Sequence, residues 1–547
     1  MQKHRTSNSR LVVASNRGPV EHLLRTDNQI EVRRASGGLA TALTAFRRHH
    51  DFSWIASAVT PGDRHIARSP KHFENFRILG QNSHSESESG AEGKSIFDVD
   101  FVVVPKDVFH NHYDVFGNRI LWFLQHSMWD QLQAPKGKDT IVEAWWDGYV
   151  PTNTAFAQAV VAKVKRQEMP VIMLHDYHLY LAPGLIRQQL PEAILQHFVH
   201  IPWPEPEEWQ HLPQPLCGDI YRNFLANDIV GFQTQESAHN FLRCCDEFLQ
   251  DAEVDYIDKT VSFDNRVARV RVYPISVDVS ELREAMNSSI VKHYQERLRP
   301  LCGERTVVRV DRLGPSKNIL LGFRAFERLL DTHQELRSRM KFLAFLVPSR
   351  MTINEYTQYR DEVMSLVEEI NGKFGRNGFR PIEVFYENNY FQALAGMSLC
   401  DALLVNPLTD GMNLVAKEGP IVNTRDGVLV LSRMAGALAQ LRDDVLDVEP
   451  TDIDETAKAL ADALAMPQRE RRERMLSLRA KIQKEDITHW ITSQMDDIDR
   501  IYAERGGQTS SQRRIDFRTE RAGVPTRQTS VACRVPLSKQ RGTDGGC

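Results

Sequence analysis

Several clusters of residues in this chain have the types and spacing to hold an anion or a sugar. In "VNPLTDGMNLVAKEGP", Val405–Pro420, an apolar run ends at Asn406-Pro407. Asp410, Gly411, Met412, Asn413, Leu414 and Val415 follow, and then Lys417 and Glu418. A strand that passes into a helix through such residues can aim free N–H groups, and the positive helix end, at an anion. The same residues suit an ordinary N-cap with a glycine turn, and the stretch alone does not separate the two. "RVDRLGPSKN", Arg309–Asn318, sets Arg312 and Lys317 on one loop shaped by Gly314 and Pro315. Two fixed cations suit a diphosphate, whose charge is spread over several oxygens; a solvated basic loop is the alternative. Together with Asp410–Val415, the diphosphate reading is favoured.

Other candidates follow strand-like runs. "LHDYHLYLAPGLI" carries His175, Asp176 and His178. As metal ligands they lack a third partner nearby, so no metal is assigned. Asp176 reads instead as an acceptor for sugar hydroxyls or as a helix-start residue. "FVHIPWPEPEEW" ends a strand at His200, where Pro202 and Pro204 stiffen the loop. Arg17 follows the first strand in "SNRGPV", a common place to meet phosphate or carboxylate. In "RRASGGLATAL", Gly37 and Gly38 precede a helical pattern and permit close approach of a ligand, though paired glycines also make ordinary turns. The "DVD" of Asp98–Asp100 reads as ordinary surface. Walker, nucleophile-elbow and H-E-x-x-H patterns are missing.

The elements that must position these residues are legible in outline. Apolar, β-branched runs predict strands at Leu11–Ser15, Phe101–Val104, Val171–Leu174, Leu195–Val199 and Ile229–Phe232. A second set falls at Thr306–Val310, Lys341–Val347, Ile382–Tyr386, Ala402–Val405 and Val428–Leu431. Between them, segments such as Ile319–Arg337 carry apolar residues at helical spacing. Such alternation implies an α/β chain with parallel sheets covered by helices, and it occurs twice. We therefore expect two doubly wound domains, 1–280 and 281–480, then a helix over 481–505 and a disordered basic tail over 506–547. From Arg505 onward the tail has nine basic against three acidic residues. Gly80–Lys94 reads as a polar loop without an apolar anchor.

Composition bounds the function. With 547 residues the chain is too long for one ordinary core. A net charge of −4 argues against a nucleic-acid binder. No apolar run approaches the ~18–20 residues that span a bilayer, and the basic N-terminus lacks the apolar core of a signal peptide. Seven cysteines without a C-x-x-C pair suggest reduced thiols and a cytoplasmic protein.

The ordered set "SNRGPV", "SGGLATAL", "NRILWFLQH", "WDGYVPTN", "HDYHLYLAP", "HIPWPEP", "NDIVGFQT", "DRLGPSKN", "FLVPSR" and "NPLTDGMNLVAKE" resembles the trehalose-6-phosphate synthases. These are retaining glycosyltransferases with two facing Rossmann-like domains, the GT-B fold. The resemblance implies transfer of glucose from a nucleotide-glucose to glucose 6-phosphate, giving trehalose 6-phosphate. It places the donor diphosphate on Arg312 and Lys317. The donor phosphates and sugar meet the backbone of Gly411, Met412, Asn413, Leu414 and Val415, with Asp410 on sugar hydroxyls and Glu418 on the ribose. Gly38, set with the donor-binding positions, allows close approach beside the acceptor phosphate. His200 contacts the donor sugar and Asp176 lies near the acceptor, both within the catalytic set. Arg17, Tyr113, Trp122 and Arg350 meet the acceptor phosphate. Front-face retention is implied, in which the leaving diphosphate takes the acceptor proton; neither metal nor cofactor is required, and a homo-oligomer is compatible.

Three departures stand out. "RLDYSKG" of the well-studied branch is "RLGPSKN" here, "LRDGMNL" is "LTDGMNL", and a "W-x-G-W-S-G"-like segment is "WIASAVTPGDR", Trp54–Arg64. This pattern also resembles the validamycin-type pseudoglycosyltransferases, which couple cyclitols. The sequence thus leaves open a cyclitol or another phosphorylated acceptor, a donor with any of three nucleotides (UDP, GDP or ADP), and a degenerate regulatory sugar-phosphate-binding protein.

Overall fold

The computed structural model describes residues 11–25, 29–34, 38–68, 98–132 and 137–506. Gly37, the loop Gly80–Lys94 and the tail beyond residue 506 lie outside the described residues. The first half contains β1 Leu11–Ser15, a hairpin of β2 Val20–Leu24 and β3 Ile30–Arg34, β4 Ser53–Ser57 and β5 Asp98–Val102. Then come β6 Val171–His175, β7 Ile194–Phe198 and β8 Ile229–Phe232, with a ribbon of β9 Glu253–Asp255, β10 Thr260–Phe263 and β11 Arg266–Val272. Without the hairpin these form a nine-stranded sheet in the order β5-β4-β1-β6-β7-β8-β11-β10-β9. It is parallel as far as β11, and β10 and β9 close that edge antiparallel.

The second sheet contains β12 Arg305–Arg312, β13 Met340–Val347, β14 Ile382–Tyr386, β15 Ala402–Val405, β16 Val428–Ser432 and β17 Leu446–Val448. Its order is β14-β13-β12-β15-β16-β17, parallel throughout. Every residue of β1, β6, β7, β8, β15 and β16 is buried. Strands covered on both faces read as continuous apolar runs, which is why they were visible in the sequence. The helix Ile319–Thr332 buries Ile319, Phe323, Phe326 and Leu330 along one stripe. β5 starts earlier than expected, at Asp98, and Asp98 and Asp100 both pair with Lys163, at 3.0 and 2.8 Å. The hairpin, β17 and the ribbon were not anticipated, because short strands and alternating charged ones lack an apolar run; β4, though buried throughout, has only Trp54, Ile55 and Ala56 between two serines.

In each sheet the strand order reverses at one point: between β1 and β6, and between β12 and β15. Helices depart to opposite faces there, and a crevice opens at the carboxyl ends of the strands.

The two sheets are joined by crossings that lie side by side. The first follows β11 through Val277 into the helix Val279–Asn287; the second runs between the helices Gln468–Lys484 and Ile487–Glu504. Ile487 N–H donates to the Val277 carbonyl at 3.1 Å. The last helix then packs on the first sheet: Gln196 Nε2 donates to Gln494 Oε1 at 2.6 Å, and Trp490 lies edge-on to Phe198. Lys417, fully buried in the helix Val415–Val422, ties both crossings together. Its ammonium donates to the Ile275 carbonyl and to Gln440 Oε1, each at 2.7 Å, and Gln440 in turn holds Glu485.

Burial lowers the Lys417 pKa to about 7, with Glu485 opposing the shift. The folded value lies below that of the unfolded lysine, so the unfolded chain binds more protons between pH 7 and about 10. Stability at this residue therefore rises with pH across that window, by about 1.4 kcal/mol per pH unit at most. Urea unfolding at several pH values should show this slope in the wild type and its loss in Lys417→Met. An identical slope in the variant would refute the assignment.

Candidate active site between the two sheets

The second crevice is built from a buried cation outward. Arg309 on β12 is fully buried, and its guanidinium donates twice to Asp311 Oδ2, at 3.0 and 2.9 Å. It also donates to the Lys317 carbonyl at 2.9 Å, so an internal ion pair shapes the loop after β12. Gly322 makes room for it, since a Cβ there would lie 2.4 Å from Arg309 Nη1. Asn318, where the well-studied branch has glycine, keeps a left-handed backbone at φ 55°. Asparagine tolerates that region, and its side chain donates to the Pro450 carbonyl at 2.7 Å. Lys317 reaches across the switch point to the Asp410 carboxylate in a close ion pair. Arg312 is exposed at the end of β12 and forms no ion pair with any described residue.

Asp410 is not an N-cap. Its Oδ2 receives Lys317 and the Asn413 side-chain amide, the latter at 3.0 Å, while Leu414 begins the helix Val415–Val422 without a side-chain cap. Burial would raise the Asp410 carboxyl, but Lys317 outweighs it and holds the pKa below the ordinary value. The N–H groups of Gly411, Met412, Asn413, Leu414 and Val415 meet no acceptor among the described residues. Met412 is buried, and Leu414 and Val415 pack on the main core, so their backbones rather than their side chains face the crevice. Glu418 is half-buried in the first turn of the same helix.

In the first crevice, Asp176 follows β6 with φ 70° and ψ 172°, a region that glycine alone adopts readily. The sheet holds it there: its N–H donates to the Phe198 carbonyl at 2.8 Å, and its Oδ1 accepts from His200 N–H at 3.3 Å. Burial lifts its pKa to about 6, against the His200 and Tyr177 amides and the field of Arg350 and Arg312. His200 Nε2 lies 3.2 Å from His175 Nδ1, and burial keeps the His200 imidazole neutral. That contact uses the His175 ring, and no metal-ligating group of three His, Cys, Asp or Glu side chains occurs among the described residues. His178 is buried and stacks on Tyr113 at 5.7 Å.

A second cluster surrounds Arg350. The segment His110–Leu121 is wound as a π-helix, a geometry frequent at functional sites, and it presents Tyr113 with Trp122 directly after it. Arg17 Nη2 donates to the Tyr113 hydroxyl at 2.8 Å and Nη1 to Glu21 at 2.5 Å. Arg350, also at positive φ, donates to the Tyr177 hydroxyl at 2.9 Å and to the Tyr356 hydroxyl. Its guanidinium carbon lies 4.6 Å from the Trp122 ring centroid. His126 stacks on Trp122 at 4.0 Å, and burial lowers its pKa to about 3.

The structure therefore brings Arg312, Lys317 and Asp410–Val415 into one group, and Asp176, His200, Arg17, Tyr113 and Trp122 of the first domain into another, which Arg350 joins from the end of β13 in the second. Gly38 is the first residue of the helix Gly38–His49. Sequence reasoning missed Tyr177, Tyr356, His126 and the shaping role of Arg309. Tyr177 adjoins Asp176 and could have been noticed; Tyr356 carries no local signal.

The two domains touch at Gly411. A Cβ there would fall 2.1 Å from the His200 carbonyl oxygen, so only glycine lets the two loops meet. Arg119 and Glu355 form a 2.6 Å ion pair across the same cleft. Gly411→Ala should cost about 2 kcal/mol or more, by analogy with other overpacked sites. A lower thermal midpoint in differential scanning calorimetry checks this; an unchanged midpoint would show that the loops do not abut.

Comparison with known proteins bears on family and fold. The model of "Glycosyltransferase family 20" matches residues 9–500. The bifunctional trehalose-6-phosphate synthase/phosphatase of Thermoproteus tenax is 32% identical over 497 residues, 88% of this chain and 62% of that one. The UDP-forming α,α-trehalose-phosphate synthase of Schizosaccharomyces pombe is 29% identical over 503 residues, 90% of this chain and 91% of that one. The chain thus spans less than two thirds of the archaeal relative and most of the yeast one. A UDP-forming synthase from Burkholderia xenovorans, solved in complex with glucose-6-phosphate, superposes with a TM-score of 0.73 at 27% identity. That superposition covers 89% of this chain and 99% of the Burkholderia chain. The paired parallel sheets are the GT-B architecture, and the chain belongs to glycosyltransferase family 20.

Proposed function

We propose that this chain is an α,α-trehalose-phosphate synthase that transfers glucose, with retention, from UDP-glucose to glucose 6-phosphate. The carrying observation is the separation of charge into two groups within the cleft. Lys317 and the free amides of Gly411–Val415 form one group; Arg350, which follows β13 of the second sheet and reaches Tyr177 of the first domain, forms the other with Arg17. The first group suits a diphosphate and the second a sugar phosphate. The uridine donor follows from the UDP-forming relatives, and the acceptor from the glucose-6-phosphate named with the Burkholderia structure.

In this reading the diphosphate displaces Asp410 from Lys317, and the freed carboxylate turns to donor sugar hydroxyls. As the glycosidic bond breaks, negative charge grows on the leaving diphosphate. Lys317, Arg312 and the amides are already oriented toward it, so they interact more strongly with the transition state than with the ground state. The leaving phosphate oxygen takes the acceptor proton, and no enzyme carboxylate need attack, unlike in retaining glycosidases. His200 is neutral and can serve the sugar as a hydrogen-bond partner without adding charge. Asp176, ionised above about pH 6, orients acceptor hydroxyls. The reading assigns no metal or cofactor and a cytoplasmic setting; no described helix is long and apolar enough to cross a membrane.

Lys317→Ala should reduce turnover by ~10²-fold or more, the size seen when one charge-stabilising donor is removed. Near-normal turnover in the folded variant would remove Lys317 from the diphosphate site. Arg350→Ala should raise the acceptor KM with donor KM little changed, and an unchanged acceptor KM would refute its role. The reading as a whole is tested by incubating the purified protein with glucose 6-phosphate and UDP-, GDP- or ADP-glucose. Matched nucleoside diphosphate and trehalose 6-phosphate establish it. Nucleotide binding without product would point to a cyclitol or another phosphorylated acceptor. Neither binding nor product would leave a regulatory sugar-phosphate binder.

A further inference from the structure

Tyr356 stands between the two halves of this site, and neither half explains it alone. It lies in the first turn of the helix Asn354–Phe374 and is 2% exposed. Its hydroxyl accepts from Arg350, and its ring lies 5.3 Å from the Arg350 guanidinium carbon. The same ring meets Trp122 at 5.9 Å and Phe123 edge-on at 6.4 Å, both from the other sheet's domain. Its neighbour Glu355 holds Arg119 of that domain. Its remaining edge faces the loop that carries Arg312 and Lys317. A Cβ on Gly314 would lie 2.8 Å from Tyr356 Cε1, closer than real contacts allow.

Gly314 has no backbone reason to be glycine. Its φ of −162° and ψ of 155° are extended values that any residue adopts. What the missing side chain provides is space for the Tyr356 ring. Arg350, by contrast, is held at φ 47°, and its guanidinium is surrounded by two phenol hydroxyls and two aromatic rings, with no carboxylate of the described residues bound to it. A strained backbone needs such contacts to fix its side chain.

We propose that Tyr356 is a positioning residue that couples the donor-phosphate loop to the acceptor arginine, with Gly314 setting where its ring can sit. The inference rests on the reading of Arg350 as the acceptor-phosphate residue. It extends that reading by making a residue of the donor loop a determinant of acceptor recognition. Movement of the 312–317 loop would shift the Tyr356 ring and, through its hydroxyl, the Arg350 fork.

The test compares Tyr356→Phe, Gly314→Ala and Gly314→Ala in a Tyr356→Ala background, with KM measured separately for UDP-glucose and glucose 6-phosphate. Tyr356→Phe keeps the ring and loses one hydrogen bond to a charged group, so acceptor KM should rise about tenfold. Donor KM and kcat should change less than about twofold, a split that general loosening of the fold would not produce. Gly314→Ala should raise acceptor KM although it lies in the donor loop, and it should add nothing once the ring is gone. An unchanged acceptor KM in Tyr356→Phe, or a Gly314→Ala effect confined to donor KM, would overturn the coupling. Calorimetric titration of the wild type with glucose 6-phosphate separates the two levels of inference. Heat in the wild type with unaltered variants rejects only the role of Tyr356; no heat in the wild type rejects the acceptor assignment and this proposal with it.

Discussion

The site depends on a constraint of parallel sheets: strand order reverses at one place in each, and a crevice must open there. In the first sheet the reversal lies between β1 and β6, whose carboxyl ends deliver Arg17 and Asp176. In the second it lies between β12 and β15, which deliver Arg312, Lys317 and Asp410. Each strand end is followed by a turn into a helix, so free amides and side chains converge without a dedicated pocket. Gly411 makes the two crevices one site, because it rests on the His200 carbonyl where no side chain would fit.

Charge is managed differently in the two groups. Around the loop after β12 each internal cation has a carboxylate, Arg309 with Asp311 and Lys317 with Asp410. The first pair is buried and structural; the second lies at the crevice, where an incoming anion can compete for the lysine. Around Arg350 the partners are hydroxyls and an indole ring, which stabilise the guanidinium without neutralising it. A half-buried cation without a carboxylate is costly, and a phosphate placed beside it removes that cost. Under the proposed function the difference suits two tasks: a leaving group is met and released, whereas an acceptor is held in place.

Backbone strain is present at four residues of this region. Asp176, Asn318, Arg350 and Asn413 all have positive φ, with values of 70°, 55°, 47° and 69°. Such conformations cost on the order of 1–3 kcal/mol each for bulky residues, less for Asn, and persist only where surroundings hold them. Each has its restraint: the Phe198 carbonyl for Asp176, Pro450 for Asn318, the phenols for Arg350, and Asp410 for Asn413. Preorganisation of this kind limits the reorganisation needed when substrate arrives.

Fold class and most strands were legible in the residues alone, and so were the residue types that make candidates for the site. Strands buried on both faces must be apolar throughout, and ligands in such sheets follow the strand ends, so Arg312, Lys317, Asp176, His200 and Asp410 could be picked out by position and type. Short or half-exposed strands such as β2, β3 and β9 escaped, since they carry no comparable pattern. Tertiary structure alone decided what joins residues far apart in the chain. That Asp410 holds Lys317 rather than capping its helix, that Gly411 abuts His200, and that Gly314 yields space to Tyr356 are facts of distance between loops. Local sequence encodes which groups a loop offers; only the packing of two sheets decides which groups they meet.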